Sequence, residues 1–147
     1  MLAVSEPALP HTWRPLGVRL AGILFGGMLM VVCAFAWFSF DAETRAKFTI
    51  FQRGTLVVLG LMFFSVGYAM ARSRVVASSE GLVVVNGFRS HSYEWPEVLA
   101  VHLPPGAPWA VLDLADGTSQ PAMGIQGSDG GRARQAVAEL RALVDRA

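Results

Sequence analysis

The sequence predicts an α+β protein: a two-helix transmembrane hairpin, then a small antiparallel β roll or open barrel capped by a C-terminal α-helix. Three observations carry this reading. Two apolar runs without a charged residue, 20–40 and 54–71, fill much of the first half. Short β-branched runs punctuated by turn residues follow, the pattern of an antiparallel sheet. Finally Ala133, Ala136, Val137, Leu140, Leu143 and Val144 recur at helical spacing, with charged residues largely on the other faces. Composition agrees: hydrophobic residues make up 53% and charged residues 16%, against about 25% charged in an average soluble domain. With a mean hydropathy of +0.44, part of the chain belongs in lipid.

Residues 1–19 read as a cytoplasmic N-terminal segment carrying Trp13, Arg14 and Arg19. The run 20–40 has 21 residues, enough at 1.5 Å per residue to span a hydrocarbon core of about 30 Å. Residues 41–53 form an extracytoplasmic connector, either a solvated loop or a short amphipathic piece lying on the surface. The run 54–71 is shorter, at 18 residues, and crosses if it stands nearly upright. Gly22 and Gly26, with Gly60 and Gly67, form small-residue stripes that let helix backbones approach, either within the hairpin or against a partner helix. Four arginines at the outer ends of the two runs face two arginines and one lysine in the connector. That bias places both termini and the C-terminal part in the cytoplasm, on a multi-pass protein of the inner (plasma) membrane. Ala34-Phe35-Ala36 imitates a signal-peptidase site, but apolar residues continue past it. Neither run contains Asp, Glu, Lys, Arg or His, so a transporter or channel has no intramembrane residue to use.

Residues 73–147 form the folded domain. Six strand candidates are legible, 74–77, 82–85, 88–94, 99–103, 109–114 and 118–125. Turns are marked by Ser78-Ser79-Glu80-Gly81, where Gly81 supplies a positive φ, by Asn86-Gly87, by the proline-rich stretch 104–108 and by Asp116-Gly117. Ser128 or Asp129 serves as N-cap of the final helix. The single cysteine, Cys33, excludes an intrachain disulfide.

Glu80 to Gly87, Trp95-Pro96-Glu97-Val98, Leu112 to Gly117 and Leu140-Arg141-Ala142-Leu143 together resemble the bacterial pleckstrin-homology (PH)-like domains of actinobacteria, including the group named after the mycobacterial low-molecular-weight protein antigen 6. The resemblance covers residues 73–146, and two preceding membrane helices are common in that group. Eleven arginines against one lysine fit a GC-rich actinobacterial source. The resemblance implies a PH-like roll used for binding. Lipid-binding PH domains place Lys and Arg around the first hairpin, whereas the turn at 78–81 has none.

The charge divides unevenly. Residues 1–74 hold seven Arg and Lys against three acids, a charge of +4, and residues 75–147 hold five Arg against eight acids, a charge of −3. An acidic domain argues against nucleic acid, whose phosphates need clustered bases. His11, His91 and His102 have no metal-ligand spacing, and no catalytic or cofactor motif frames the polar residues. The expectation is a non-enzymatic membrane protein without cofactor or metal, an accessory or scaffold subunit of a membrane protein complex or a homo-oligomer. Trp109, His102 and Pro105, around a rigid apolar loop, are the candidate partner contact. The alternative is a module that senses the lipid bilayer, with Arg72, Arg74 and Arg89 meeting anionic headgroups.

Overall fold

The computed structural model describes residues 7–147; residues 1–6 of the N-terminal segment lie outside the described residues. The chain runs β1 (His11–Trp13), α1 (Leu16–Ser39), α2 (Ala42–Lys47), α3 (Ile50–Arg72), β2 (Arg74–Ala77), β3 (Gly81–Asn86), β4 (Arg89–Glu94), β5 (Val98–His102), β6 (Trp109–Leu114), β7 (Ser119–Gln126) and α4 (Gly131–Arg146). Both α1 and α3 are long and apolar enough to cross a membrane, and their side chains are almost all exposed. Of the described residues in the two helices, Gly26 is buried and the others are half-buried or exposed. Helix α1 begins at Leu16, ahead of the uncharged run, because Gly17, Val18 and Arg19 continue the helix up to its cap.

The connector contains helix rather than only loop. Asp41 caps α2, its carboxylate accepting from the Thr44 amide at 2.7 Å, and those Thr44 hydrogen bonds hold its carboxyl below the usual range. Phe48 then packs against Trp37 and Phe40. Thr49 and Gln52 close a capping box that starts α3.

The domain is two antiparallel sheets, β1-β2-β3-β4 and β5-β6-β7, with α4 packed against β5 and β7 of the second. All six expected strands occur as β2 to β7, and the seventh, β1, comes from the other side of the helical hairpin. His11, Thr12 and Trp13 lie opposite Ala77, Val76 and Val75. Trp13 is buried with Val75, Val84, Leu112, Ile125 and Leu140 in one core, and its indole N–H donates to Glu139 of α4 at 2.9 Å. The apolar stripe of α4 enters that core through Ala133, Ala136, Val137, Leu140 and Leu143.

Side chains bind the two sheets together. Asn86, at the end of β3, donates to the Pro121 carbonyl at 2.6 Å and accepts from the Met123 amide at 2.9 Å, both on β7. Beside it β7 crosses β2 so closely that a Cβ on Gly124 would lie 2.5 Å from Arg74 Cα. Trp95 packs against the core and donates to the Ser78 carbonyl at 3.0 Å.

Two local expectations are corrected. The turn after β2 does not use a left-handed Gly81; the positive-φ glycines are Gly87, Gly106, Gly117 and Gly130. Ser78 builds that turn, its Oγ accepting from the Glu80 and Gly81 amides, while Gly81 sits in β3 where a Cβ would strike the Tyr93 carbonyl. Nor do Ser128 and Asp129 cap α4, which begins after Gly130 without a side-chain cap. Asp129 instead accepts from the amides of Leu16 at 2.9 Å and Gly17 at 2.8 Å, capping α1 from more than a hundred residues away. A carboxylate on two N-terminal amides satisfies orphan donors and complements the helix dipole.

Candidate functional site

The end of the domain that meets the hairpin is held at three points. Strand β1 runs into α1 and β2 follows α3, so their pairing draws the outer ends of both helices together. Asp129 holds the first turn of α1. Ser73, fully buried between α3 and β2, donates its hydroxyl to the Ala69 carbonyl at 3.0 Å and accepts from the Gly87 amide at 2.9 Å. The β3–β4 turn is thereby tied to the last turn of α3. Phe88 in that turn is 63% exposed, lies beside Tyr68 and receives the Arg72 guanidinium over its ring at 5.7 Å. The β2–β3 turn at 78–80, where lipid-binding PH domains would carry bases, is separated from the hairpin by the four residues of β2, about 13 Å of strand.

Between the helices, next to this junction, lies a groove of about 650 Å³. Its rim is Arg14, Arg19, Arg72 and Arg74, and its walls are apolar, with Phe25, Phe64 and Tyr68 among them. Two of the three arginines expected to meet headgroups are therefore brought together with two others that the charge count had used only for orientation. Arg89 starts β4, exposed, and does not line the groove. Of the four stripe glycines, Gly26 alone packs the hairpin, since a Cβ there would lie 3.1 Å from Phe64. Gly22, Gly60 and Gly67 have open space around their Cβ positions, and Gly22 and Gly67 line the groove. Packing of the two helices on each other, one of the two roles expected of these glycines, is met at Gly26 and not at Gly22, Gly60 or Gly67, and the helices leave room on the domain side of Gly26.

The candidate partner contact lies around the β5–β6 loop. Trp109 is half-buried, Pro105 is exposed, and His102 sits 3.3 Å from Asp113 on the outward-facing side of the sheet. The Gly127 amide donates to the Pro108 carbonyl at 2.9 Å. The loop therefore abuts the Gly127–Asp129 turn that holds α1, which places Trp109 and Pro105 at the flank of the hairpin junction.

A second cleft of about 360 Å³ lies between β1, β7 and α4, lined in part by Arg14, Gln126, Asp129, Arg132 and Glu139. Gln126 is 4% exposed, and its Nε2 has no partner among the described residues. At the far end of the domain, burial and the nearby acids Asp116 and Glu97 push the Tyr93 hydroxyl up. Hydrogen bonds from Thr118 hold Asp116 below the ordinary carboxylate range. Among the described residues, no group of three or more His, Cys, Asp and Glu side chains is arranged to hold a metal.

Sequence reasoning missed β1, the Asp129 cap and the convergence of Arg14 and Arg19 with Arg72 and Arg74. The only sequence signal for the last is that basic residues flank both apolar runs on their outer ends.

Comparison with known proteins adds two findings. A family model described as a bacterial PH domain matches residues 72–143. Uncharacterized proteins of Mycobacterium bovis and of two Mycobacterium tuberculosis strains are each 32% identical over 143 residues, covering 93% of this chain and 86% of each relative. Similarity to them thus extends through the hairpin as well as the domain. No solved structure matches the chain.

Proposed function

The chain belongs to the bacterial PH-domain family, and from that premise we propose that it is a non-enzymatic integral membrane protein serving as an accessory or scaffold subunit of a membrane complex. In this reading α1 and α3 cross the plasma membrane, and the PH domain stands at its cytoplasmic face. The observation that carries it is the pairing of β1 with β2 across the root of the hairpin. A domain built from both flanks of a hairpin keeps both flanks on one side of the bilayer. Arg14, Arg19, Arg72 and Arg74 all lie at that side, against Arg45, Lys47 and Arg53 at the other, which favours the cytoplasm. Clamped at three points, the domain presents one orientation to its neighbours, and confinement in the same membrane makes weak contacts sufficient.

The contact surface in this proposal is the flank formed by Trp109, Pro105 and His102. The test is cross-linking of the tagged full chain in its native membrane, followed by purification in mild detergent and mass spectrometry. A stoichiometric membrane partner, lost on Trp109→Asp and on the loop substitution Pro105→Glu, supports the reading. A partner retained by both variants removes this surface from consideration, and recovery of the chain alone rejects the scaffold role.

A further inference from the structure

We infer that the groove between α1 and α3 is a binding site for one anionic glycerophospholipid, its acyl chains lying between the helices and its phosphate held by Arg19, Arg72 and Arg74. The inference goes beyond the scaffold role but rests on the hairpin crossing a membrane.

Shape and charge both point to this occupant. From Arg72 to Phe63 the groove follows ten residues of α3, about 14 Å at the rise of a helix. That is about half the thickness of a hydrocarbon core, the depth of one leaflet. The Gly26–Phe64 contact closes the helices at depth, and above it Gly22 and Gly67 present no side chain, leaving a slot. Four arginines are among the residues lining the slot, and no carboxylate is among its described lining residues. A neutral apolar occupant would leave these cations uncompensated, whereas a phosphodiester meets planar donors that suit its oxygens. Basic pockets between membrane helices at the headgroup level select anionic lipids for this reason. Arg72, stacked on Phe88, and Arg74, fixed in β2 opposite Val85, are positioned by the domain. Arg19 is positioned by α1, whose first turn Asp129 anchors. The site is therefore assembled by the docking of domain on hairpin, and it lies away from the first-hairpin turn through which lipid-binding PH domains contact headgroups.

The experiment uses the full chain, extracted with detergent after an alkaline carbonate wash and examined by native mass spectrometry with added phosphatidylglycerol or phosphatidylcholine of identical acyl chains. One phosphatidylglycerol adduct that outlasts the phosphatidylcholine adduct and survives excess inorganic phosphate is the expected result. Arg19→Gln and Arg72→Gln should each weaken it about fivefold, and together about thirtyfold, if each near-surface charge contributes as usual. Gly22→Leu with Gly67→Leu, which fills the slot without touching charge, should abolish the adduct, whereas Arg89→Gln should leave it unchanged. Equal retention of both lipids, or an adduct indifferent to the arginine and glycine variants, overturns the site while leaving the hairpin reading intact. Release of the chain by the carbonate wash overturns both.

Discussion

Replacing Trp13 tests whether the segment ahead of the first apolar helix is part of the domain. Its indole is 7% exposed within the core and donates to Glu139 at 2.9 Å. Truncating a buried Trp to Ala costs about 3–5 kcal/mol. A domain of this size has a total stability of roughly 4–12 kcal/mol, from 0.05–0.15 kcal/mol per residue, so Trp13→Ala should remove a large share of it. Trp13→Phe keeps most of the ring and loses the bond to a carboxylate, for about 1–2 kcal/mol. The assay is hydrogen exchange with mass spectrometry on the full chain in detergent, read at Arg74–Ala77 and Gly131–Arg146, the segments that Trp13 touches. Their globally protected amides should exchange about 10²–10⁴-fold faster in Trp13→Ala, at 1.4 kcal/mol per factor of ten. Trp13→Phe should fall between that and the wild type. Unchanged protection in Trp13→Ala would refute the inclusion of β1 in the domain, and with it the argument that both flanks of the hairpin share one side. A fragment beginning at residue 73 lacks this side chain and strand, so binding assays belong on the full chain.

Two further substitutions address how the parts are joined. Gly124→Ala places a Cβ against the Arg74 backbone, where neither strand can yield. It should cost about 1–3 kcal/mol by overpacking, seen as a lowered melting temperature, and an unchanged melt would mean that β7 does not cross β2 there. Asp129→Ala frees the Leu16 and Gly17 amides and should destabilise the first turn of α1 by about 1 kcal/mol. Asp129→Asn, keeping an acceptor but not the charge, should lose less. Exchange at residues 16–18 reads both variants, and equal rates in all three proteins would remove the cap.

What was legible in advance was what depends on neighbours along the chain. Short β-branched runs bounded by turn residues marked β2 to β7, and the spacing of Ala133 to Leu143 marked the buried face of α4. Uncharged length marked both apolar helices. Strand β1 escaped because three residues, His-Thr-Trp, are too few to establish a period, and their partner strand lies some sixty residues on. Gly81 misled because a glycine next to a turn ordinarily supplies positive φ. Here Ser78 closes the turn, and Gly81 is needed for the close approach of Tyr93 on the paired strand. The site divides in the same way. Arg72 and Arg74 were recognisable as basic residues following an apolar run, but that Arg14 and Arg19 join them depends on how α1 and α3 pack.

By itself the sequence determined the elements: two long apolar helices, six strands, and a terminal helix with one apolar face. Hydrophobic periodicity and the free energy of transfer from water are local properties, read from a dozen residues at a time. Only the tertiary structure decided which distant groups meet: Trp13 with Glu139, Asp129 with the first turn of α1, Ser73 with Gly87, and four arginines around one groove. Those meetings are set by the closure of a sheet across the root of the hairpin. Hydrogen-bond partners and convergent charges that lie from 14 to 126 residues apart leave no periodic trace in the chain that carries them.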